Sequence, residues 1–312
     1  MRMLSRVADR LFWMARYLER AEDTARLTQA YTHLIMDIPE GAEPGWEILV
    51  NILDAQPAFG ARYRTFNEQN VLRFLIADED NPGSIRNTIQ FARENVRTTR
   101  DVLPGEVWEH VNYLHLYAQE WADKSVGRRN RHRFLDQVIG RCQLINGLIM
   151  STLTRDHAYR FIKLGHMLER ADMTTRVIDV GAGALLGDER HHPSVDPLIW
   201  ASMLRSLSAM GTYRRTIGPL VEVNEVVDFV FRNDELPRSV RFCLNAIRVE
   251  LAGLKNNRDA LKLLDRHRRR LSRFKVHDAT REQLHDFIDS FQMGINELSD
   301  IIAATWFLPE PS

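Results

Sequence analysis

The chain has 312 residues, 44% of them hydrophobic, and its 42 Lys and Arg residues are matched by 42 Asp and Glu residues. This length suffices for two ordinary hydrophobic cores or one larger fused core. The balanced charge excludes a whole-molecule field that would attract nucleic acid or a membrane, so neither is expected as a partner.

Two further properties favour a cytoplasmic protein. No run of apolar residues approaches the roughly 18 that a membrane span needs, and charged residues interrupt positions 2–10, where a signal peptide would be continuously apolar. The two cysteines, Cys142 and Cys243, fall within apolar helical patterns and have neither a redox nor a metal-binding spacing. We expect buried thiols in a reducing compartment.

The first predicted element is a long amphipathic helix with Ser5 as its N-cap. Its apolar residues recur at intervals of three and four, which places them on one face. This stripe consists of Leu11, Met14, Leu18, Ala21 and Ala25. The residues predicted to end the helix are Pro39, Gly41, Pro44 and Gly45.

Five further segments are predicted in the first half. A helix starts at Trp46, a short apolar segment spans 71–76, and Pro82 opens the next helix. Proline suits a first helical turn because its missing N–H group has no intrahelical partner there. Two longer helices are predicted over 105–122 and 133–154.

The second half repeats this order. Its long helix is capped by Thr154 or Asp156 and carries a matching stripe at Phe161, Leu164, Leu168, Ala171 and Thr175. The predicted breaks that follow lie at Gly181, Gly183 and 187–197. A helix is then predicted to start at Trp200, followed by a short apolar segment over 226–231 and a helix that starts at Pro237. Two longer helices are predicted over 258–273 and 280–306.

The order recurs because the sequence itself recurs. Residues 18–26 return as residues 168–176, with Leu, Glu, Arg, Ala, Thr and the final Arg identical at an offset of 150. Pro82, Ser84 and Arg86 return at an offset of 155. A unit of roughly 150 residues is the size of a domain. We therefore predict an all-α, duplicated helical bundle whose halves, 1–156 and 157–312, pack as one pseudo-twofold body because no low-complexity linker separates them.

The repeated block carries acidic and basic residues in helical register. Glu22 with Arg26, and Asp172 with Arg176, are acid-to-base pairs four residues apart. Glu19 and Arg20 are adjacent and point about 100° apart on a helix, so each needs another partner. If the two long helices meet about a pseudo-twofold axis, Glu19 pairs with Arg170 and Glu169 pairs with Arg20.

Two interpretations of this block remain open. In the first, the network fixes how the halves dock, and breaking one buried pair would cost roughly 3–5 kcal/mol. In the second, the arginines and carboxylates line a central cleft for an anionic or zwitterionic ligand. Asp23 corresponds to Met173, so a fully symmetric ligand site is not expected.

Other arginines lie on the helices that follow Pro82 and Pro237. Residues seven apart share a helical face, so each helix carries one arginine pair that faces either solvent or a site. These pairs are Arg86 with Arg93, and Arg241 with Arg248. After the first pair comes a block that has no duplicate in the second half. In this block Trp108 is predicted to anchor the core, while Glu109 and Asn112 are predicted to order a loop or contact a ligand. The same block includes Arg100.

The chemistry of a cofactor or metal enzyme is not found. The sequence has no P-loop, GxGxxG or GxSxG motif, so no cofactor is expected. Inward carboxylates suggest a di-iron bundle, but neither repeated block has the Glu-x-x-His pair that such bundles carry. That spacing occurs at Glu282 with His285 and at Glu189 with His192, neither with a counterpart in the first half, so no metal is expected.

Basic residues gather near two of the helix joins. In the first half they lie within 128–133, and in the second within 266–275. Such clusters can meet phosphates or an acidic protein partner, but aromatic residues are scarce among them, so nucleic-acid binding is disfavoured.

The sequence resembles the bacterial alpha-E family, an all-helical group named for its Glu-Arg motif. The resemblance covers nearly the whole chain and depends on both Leu-Glu-Arg-Ala blocks, the openings at Pro82 and Pro237, and the segment from Trp108 to Asn112. The candidate binding or docking residues are Glu19, Arg20, Glu22, Arg26, Arg86, Arg93, Arg100, Trp108, Glu109, Asn112, Glu169, Arg170, Asp172, Arg176, Arg241 and Arg248.

The resemblance implies partners rather than a reaction. Family members occur in gene neighbourhoods with a circularly permuted ATP-grasp protein, a transglutaminase-like protease and sometimes a proteasome-like hydrolase. It implies an accessory, non-catalytic protein beside an ATP-grasp ligase that forms a peptide or amide. The alternative is an enzyme or binding protein whose Arg- and Glu-lined cleft takes a carboxylate-bearing peptide or amino acid. A third hypothesis is an interaction protein that uses the basic joins.

Overall fold

The computed structural model describes residues 5–38, 45–184 and 196–307, and within these ranges the chain is helical without a strand. The helices of the first half are α1 (Ser5–Asp37), α2 (Glu47–Ile52), α3 (Gln56–Gly60), α4 (Glu68–Ile76), α5 (Ile85–Arg97), α6 (Gly105–Trp121) and α7 (Arg128–Thr152). Those of the second are α8 (His157–Ala184), α9 (Asp196–Ser206), α10 (Met210–Thr216), α11 (Val223–Arg232), α12 (Val240–Ala252), α13 (Arg258–Arg273) and α14 (Arg281–Ile302). The all-α prediction is confirmed.

Side-chain caps explain several helix starts. The hydroxyl oxygen of Ser84 accepts a hydrogen bond from the backbone N–H of Asn87 at the start of α5, and Ser239 does the same for Phe242 at the start of α12. The prediction that Pro82 and Pro237 open these helices is wrong by one turn, since each proline lies two residues before the capping serine. Asp156 accepts from the N–H groups of residues 158 and 159, as predicted for α8.

Two other predicted boundaries are wrong. Helix α8 continues through Gly181 and Gly183, and Trp200 lies inside α9 rather than at its start. Trp200 is fully buried, so its bulk serves the core of the bundle rather than a helix end. The predicted break residues Pro39, Gly41 and Pro44, and His192 with Glu189, lie outside the described residues.

The long helices α1 and α8 pack against each other at the centre of the molecule. Their backbones approach closely at Gly165, where a Cβ atom would lie 2.2 Å from the carbonyl oxygen of Phe12. A glycine inside a helix costs roughly 1 kcal/mol relative to alanine, and here the close approach requires it. The crossing places the two repeated blocks beside each other.

Both faces of α1 are buried, each in a different hydrophobic core. The predicted stripe, with Leu11 and Leu18 fully buried, packs against α5 and α7 in the first core. On the opposite side Phe12, Tyr31 and Leu34 join a second core that includes α8, α9, α12 and α14. The halves therefore share side chains across the central helices, so neither core is complete within residues 1–156.

A short helix from each half packs against the long helix of the other half. Helix α2 packs against α8, and α9 packs against α1, so each central helix is covered by a segment from the other half. Cys142 and Cys243 are buried free thiols, as expected. No described helix combines the length and the apolar character needed to cross a membrane.

Candidate functional site

The acidic residues of the two repeated blocks form crossed ion pairs at the centre of the molecule. Arg170 donates from Nε to Glu19 Oε1 over 2.6 Å and from Nη2 to Oε2 over 3.1 Å. Arg20 donates from Nε to Glu169 Oε1 over 2.5 Å. Glu19 is fully buried and Glu169 is 2% exposed. The reciprocal arrangement predicted from the sequence is thus present.

A third arginine completes the cluster around Glu19. Arg238 lies in the turn before α12, and its guanidinium group donates to Glu19 Oε1 over 3.1 Å, to Glu22 Oε1 over 2.8 Å and to Asp23 Oδ1. Sequence reasoning missed this residue because its counterpart at the offset of 155 is Gly83, which has no side chain to suggest the role.

Glu169 receives its second partner from a different place. Arg16, one turn before Arg20 on α1, donates from Nε to Glu169 Oε2 over 2.7 Å, and its guanidinium also lies over the ring of Trp13. The position equivalent to Arg16 on α8 is His166. Glu19 therefore has three basic groups around it, Arg170, Arg238 and His166, whereas Glu169 has two, Arg20 and Arg16.

Burial and neighbouring charges shift the pKa values in this cluster. Burial alone would raise the pKa of Glu169, but Arg20 and Arg16 outweigh that effect and lower it to about 2. Burial likewise opposes ionisation of Glu19, yet Arg170, His166 and Arg238 hold its pKa well below the usual range. Both carboxylates stay ionised and fully paired, which suits a structural role and leaves neither one free to exchange protons with a substrate near neutral pH.

Two other buried groups favour their neutral forms. Burial lowers the pKa of His166 to about 3. Arg170 and other nearby cations also disfavour a charged ring, and together with burial they outweigh the attraction of Glu19. The neutral ring accepts from Arg170 Nη2, with Nε2 at 2.6 Å. Burial raises the pKa of Asp23 to about 8, since Arg238 only partly offsets the carboxylates beside it.

The predicted pairs within each helix are also present. Arg26 donates to Glu22 over 2.8 Å, and Arg176 donates to Asp172 over 2.9 Å. Each of these arginines reaches on to a residue with left-handed backbone: Arg26 donates to the hydroxyl of Ser208, whose φ is 54°, and Arg176 lies 3.8 Å from the carboxylate of Asp54, whose φ is 52°.

A cavity of about 240 Å³ opens on one side of the cluster. Most of its polar lining comes from α1 and α8, and most of its apolar wall comes from the segment after α2 and from α4. Gly83 lies in its wall, at the place that corresponds to Arg238 on the other side. The candidate residues in its lining are Arg20, Glu169, Asp172 and Arg176.

The arginine pairs on α5 and α12 lie apart from this cluster. Arg86 is 9% exposed and donates to Gln119 on the neighbouring α6 and to Asp123. Arg241 and Arg248 bond to Ser272 and Asp265, both on α13. Each pair therefore fastens its helix to the next helix along the chain. Arg86 is buried, contrary to a solvent-facing position, and none of these arginines faces the central carboxylates.

The unduplicated block forms a separate surface feature. The ring of Trp108 is half-buried and is contacted by two guanidinium groups, those of Arg93 at 5.3 Å and Arg100 at 3.6 Å from the ring centre. Asn112 accepts from Arg93 Nε over 2.8 Å, and Glu109 is exposed. These contacts join α5 to α6 across the turn between them.

One group among the described residues approaches the spacing of metal ligands. Asp179, His285 and Asp289 offer ligand atoms within 4.8 Å of one another. His285 Nδ1 lies 2.7 Å from Asp179, and this hydrogen bond raises the pKa of the imidazole. The hydrogen bond between this imidazole and the Asp179 carboxylate accounts for the geometry. Glu282, the other member of the sequence motif, is not part of this group.

The basic joins differ in accessibility. Arg131 is buried and donates to Glu68, and Arg128 pairs with the same carboxylate. On α13 the basic residues form part of a helix rather than a loop, and most are exposed to solvent. These exposed residues, which we call the α13 basic face, are Lys262, Arg266, Arg269, Arg270, Arg273 and Lys275.

Comparison with known proteins identifies relatives. The family model Alpha-E, described as a predicted alpha-helical domain with a conserved ER motif, matches residues 3–307. Uncharacterized proteins of Mycobacterium bovis and Mycobacterium tuberculosis are 22% identical over 328 residues, which covers 96% of this chain and 36% of each relative. The chain thus spans about a third of the length of these curated relatives. No solved structure matches it.

Proposed function

The chain belongs to the Alpha-E family, and on that basis we propose that it is an accessory, non-catalytic protein that works with an ATP-grasp-type ligase in bacterial peptide or amide formation. The proposed partner is a circularly permuted ATP-grasp protein. A transglutaminase-like protease of the same system is a second proposed partner. Since such a ligase consumes ATP, we place the protein in the cytoplasm.

The state of the Glu-Arg motif carries the non-catalytic part of this proposal. A catalytic carboxylate must reach a reacting atom and change its proton or bond during the reaction. Glu19 and Glu169 are enclosed, and each is held by at least two arginines. Their low pKa values keep them ionised, so their contribution is to join the halves.

The length of the relatives supports the need for a partner. In the mycobacterial proteins the matching region makes up 36% of the chain, so most of each polypeptide lies outside it. A region that is covalently joined to further protein in one organism commonly binds a separate protein in another. The proposal is that this chain supplies the helical part of such an assembly.

The α13 basic face is the proposed docking surface. The chain as a whole has no net charge, yet six cationic side chains are exposed along one helix and the turn after it. Complementary charges mainly raise association rates and select partners, and both effects weaken with salt. An acidic surface on the ATP-grasp protein would fit this face.

Parallel features also support an ancient duplication as the origin of the fold. Ser84 and Ser239 cap equivalent helices, and Asp54 and Ser208, 154 residues apart, share an uncommon left-handed conformation. The crossed pairs relate the two central helices reciprocally. We infer that residues 1–156 and 157–312 descend from one unit.

Copurification tests the proposed function. The chain is coexpressed with the circularly permuted ATP-grasp protein encoded in the same genome, and the complex is measured by size-exclusion chromatography with light scattering. We expect a stable complex that weakens between 50 and 500 mM salt on the order of tenfold or more, and no ATP turnover by this chain alone.

A matched pair of variants locates the surface. Reversing Arg269 and Arg273 to Glu should abolish the complex, whereas reversing the exposed Arg129 and Arg133 on α7 should leave it intact. Absence of a complex at micromolar concentration contradicts the proposed function. Equal effects of the two sets contradict the proposed surface.

A further inference from the structure

The cavity beside Gly83 lies where the two sides of the central cluster differ most in side-chain size, since Gly83 corresponds to Arg238. On the Glu19 side, the guanidinium group of Arg238 fills the corresponding space and binds three carboxylates. On the Glu169 side, Gly83 provides no side chain, and about 240 Å³ is left open. The backbone does not demand glycine here, since Gly83 does not have a left-handed φ.

Two buried polar atoms in the lining of the cavity have no partner. Asp172 is 8% exposed, and its Oδ1 accepts no hydrogen bond. Thr24 is 1% exposed, and its hydroxyl is likewise unpartnered, whereas the equivalent Thr174 donates to the backbone carbonyl of Arg238. A buried polar group without a partner loses its hydrogen bonds to water and gains none in return, so the two together call for a polar ligand.

The charges around the cavity indicate that the ligand carries no net charge. Three arginines face three carboxylates on this side: Arg16, Arg20 and Arg176 with Glu169, Asp172 and Asp54. A lone cation or a lone anion would therefore disturb a balanced set, which in a partly buried site is costly.

Both signs of charge are nevertheless available to a ligand. The side chains of Arg20 and Arg176 are 30% and 21% exposed, and each uses Nε for its carboxylate partner, which leaves terminal N–H groups directed elsewhere. Asp54 is 77% exposed at the mouth of the cavity. Arginine binds carboxylates through such paired donors, and carboxylates bind ammonium groups.

We propose that this cavity binds a free α-amino acid with an aliphatic side chain. The α-carboxylate contacts Arg20 and Arg176, and the α-ammonium group donates to Asp172 and Asp54. The apolar wall of the cavity, formed by Leu53, Phe74, Leu75 and Met173, receives the side chain. The volume of about 240 Å³ fits one residue of leucine size. This binding goes beyond the accessory role and needs no partner protein.

Isothermal titration calorimetry of the full chain tests the proposal. The probes are L-leucine, 4-methylpentanoate, which lacks the amino group, and 3-methylbutylamine, which lacks the carboxylate. We expect leucine to bind at least tenfold more tightly than either analogue, because only leucine satisfies both charges. No binding of leucine at millimolar concentration overturns the proposal, and so does equal binding of one of the analogues.

Variants separate the cavity from other surfaces. Gly83→Arg should reproduce the arrangement of Arg238 and abolish leucine binding, whereas Gly140→Arg, at an exposed helical glycine with open space around it, should leave binding unchanged. Asp172→Asn should weaken the binding of leucine at least fivefold but leave the binding of 4-methylpentanoate unaffected. This variant tests the site even if Gly83→Arg does not fold. Leucine binding retained in both cavity variants overturns the proposed site.

Discussion

At the scale of single residues, the Glu-Arg motif consists of charges that have been removed from water and paired across the molecule. A buried ion pair adds little stability compared with well-packed apolar residues, but the loss of one partner leaves an uncompensated buried charge. Glu19 is fully buried, and Arg170, Arg238 and the neutral His166 all surround it.

Replacing that carboxylate should therefore be strongly destabilising. For Glu19→Gln, which keeps the size of the side chain, we expect the free energy of unfolding to fall by about 3–5 kcal/mol. Denaturation in urea measures this change. Glu94→Gln is the control, because the Glu94 carboxylate is 43% exposed where it pairs with Arg93 and Arg97, and its loss should cost less than about 1 kcal/mol. Similar losses for both variants would contradict a buried network.

The buried imidazole of His166 contributes to the pH dependence of the free energy of unfolding. In the unfolded chain this imidazole takes up a proton near pH 6.5, whereas in the folded protein it does so only near pH 3. This group contributes no pH dependence above pH 6.5, and it lowers the free energy of unfolding as pH decreases from 6.5 towards 3, by about 2 kcal/mol at pH 5. Asp23, whose pKa is raised to about 8, contributes the opposite slope to the unchanged chain and to a His166 variant alike. Between pH 7 and pH 5 the free energy of unfolding of His166→Gln, in which the amide can still accept from Arg170, should therefore shift by about 2 kcal/mol in favour of the variant, relative to the unchanged chain.

The comparison is made from melting curves between pH 8 and pH 5. His277→Gln, at an exposed histidine, is the control and should follow the profile of the unchanged chain. An unaltered slope in His166→Gln would show that this ring is not held neutral in the fold.

Sequence patterns predicted the central residues better than the peripheral ones. The crossed pairs could be predicted because Glu and Arg are adjacent in each block. Adjacent residues on a helix point about 100° apart, so each side chain needs a partner on another helix. Arg238 could not be found in this way, since it lies in a turn and its repeat counterpart is Gly83. The position of Arg86 was also undetermined, because a single helical face does not show whether a neighbouring helix covers it.

At the scale of the helices, the spacing of apolar residues and the positions of Gly and Pro predicted where helices lie, but not where all of them end. The apolar stripes of α1 and α8 were recognised from their spacing, and both are buried. The ends at Gly181 and Gly183 were wrong because one glycine costs a helix only about 1 kcal/mol relative to alanine and does not by itself end it. The second buried face of α1 was missed since its residues, such as Phe12 and Tyr31, interrupt the polar side irregularly.

Gly165 tests the close contact between the two central helices. Gly165→Ala raises helix propensity, yet its Cβ atom would meet the backbone of Phe12 at 2.2 Å, so we expect a net loss of about 1–3 kcal/mol. Thermal unfolding measures the change. Gly140→Ala, with no atom within 4 Å of the added Cβ atom, should instead gain about 0.5–1 kcal/mol. A gain in both variants would contradict the close approach.

At the scale of the whole molecule, the halves depend on each other. Residues 1–156 alone would expose Phe12 and Leu34, which are buried against the second half, and would leave Glu19 without Arg170. We expect this fragment to lack a cooperative thermal transition and to bind a hydrophobic dye. Coexpression with residues 157–312 should restore cooperative unfolding. A fragment that melts sharply by itself would contradict the shared core.

The difference between Gly83 and Arg238 also determines stoichiometry. A protein built from two similar parts would ordinarily offer two equivalent places to a small molecule, and occupancy of one could alter the other. Here the guanidinium group already occupies one of them permanently. Saturation should therefore follow a simple hyperbola that ends at one mole per mole of chain, with a Hill coefficient of one.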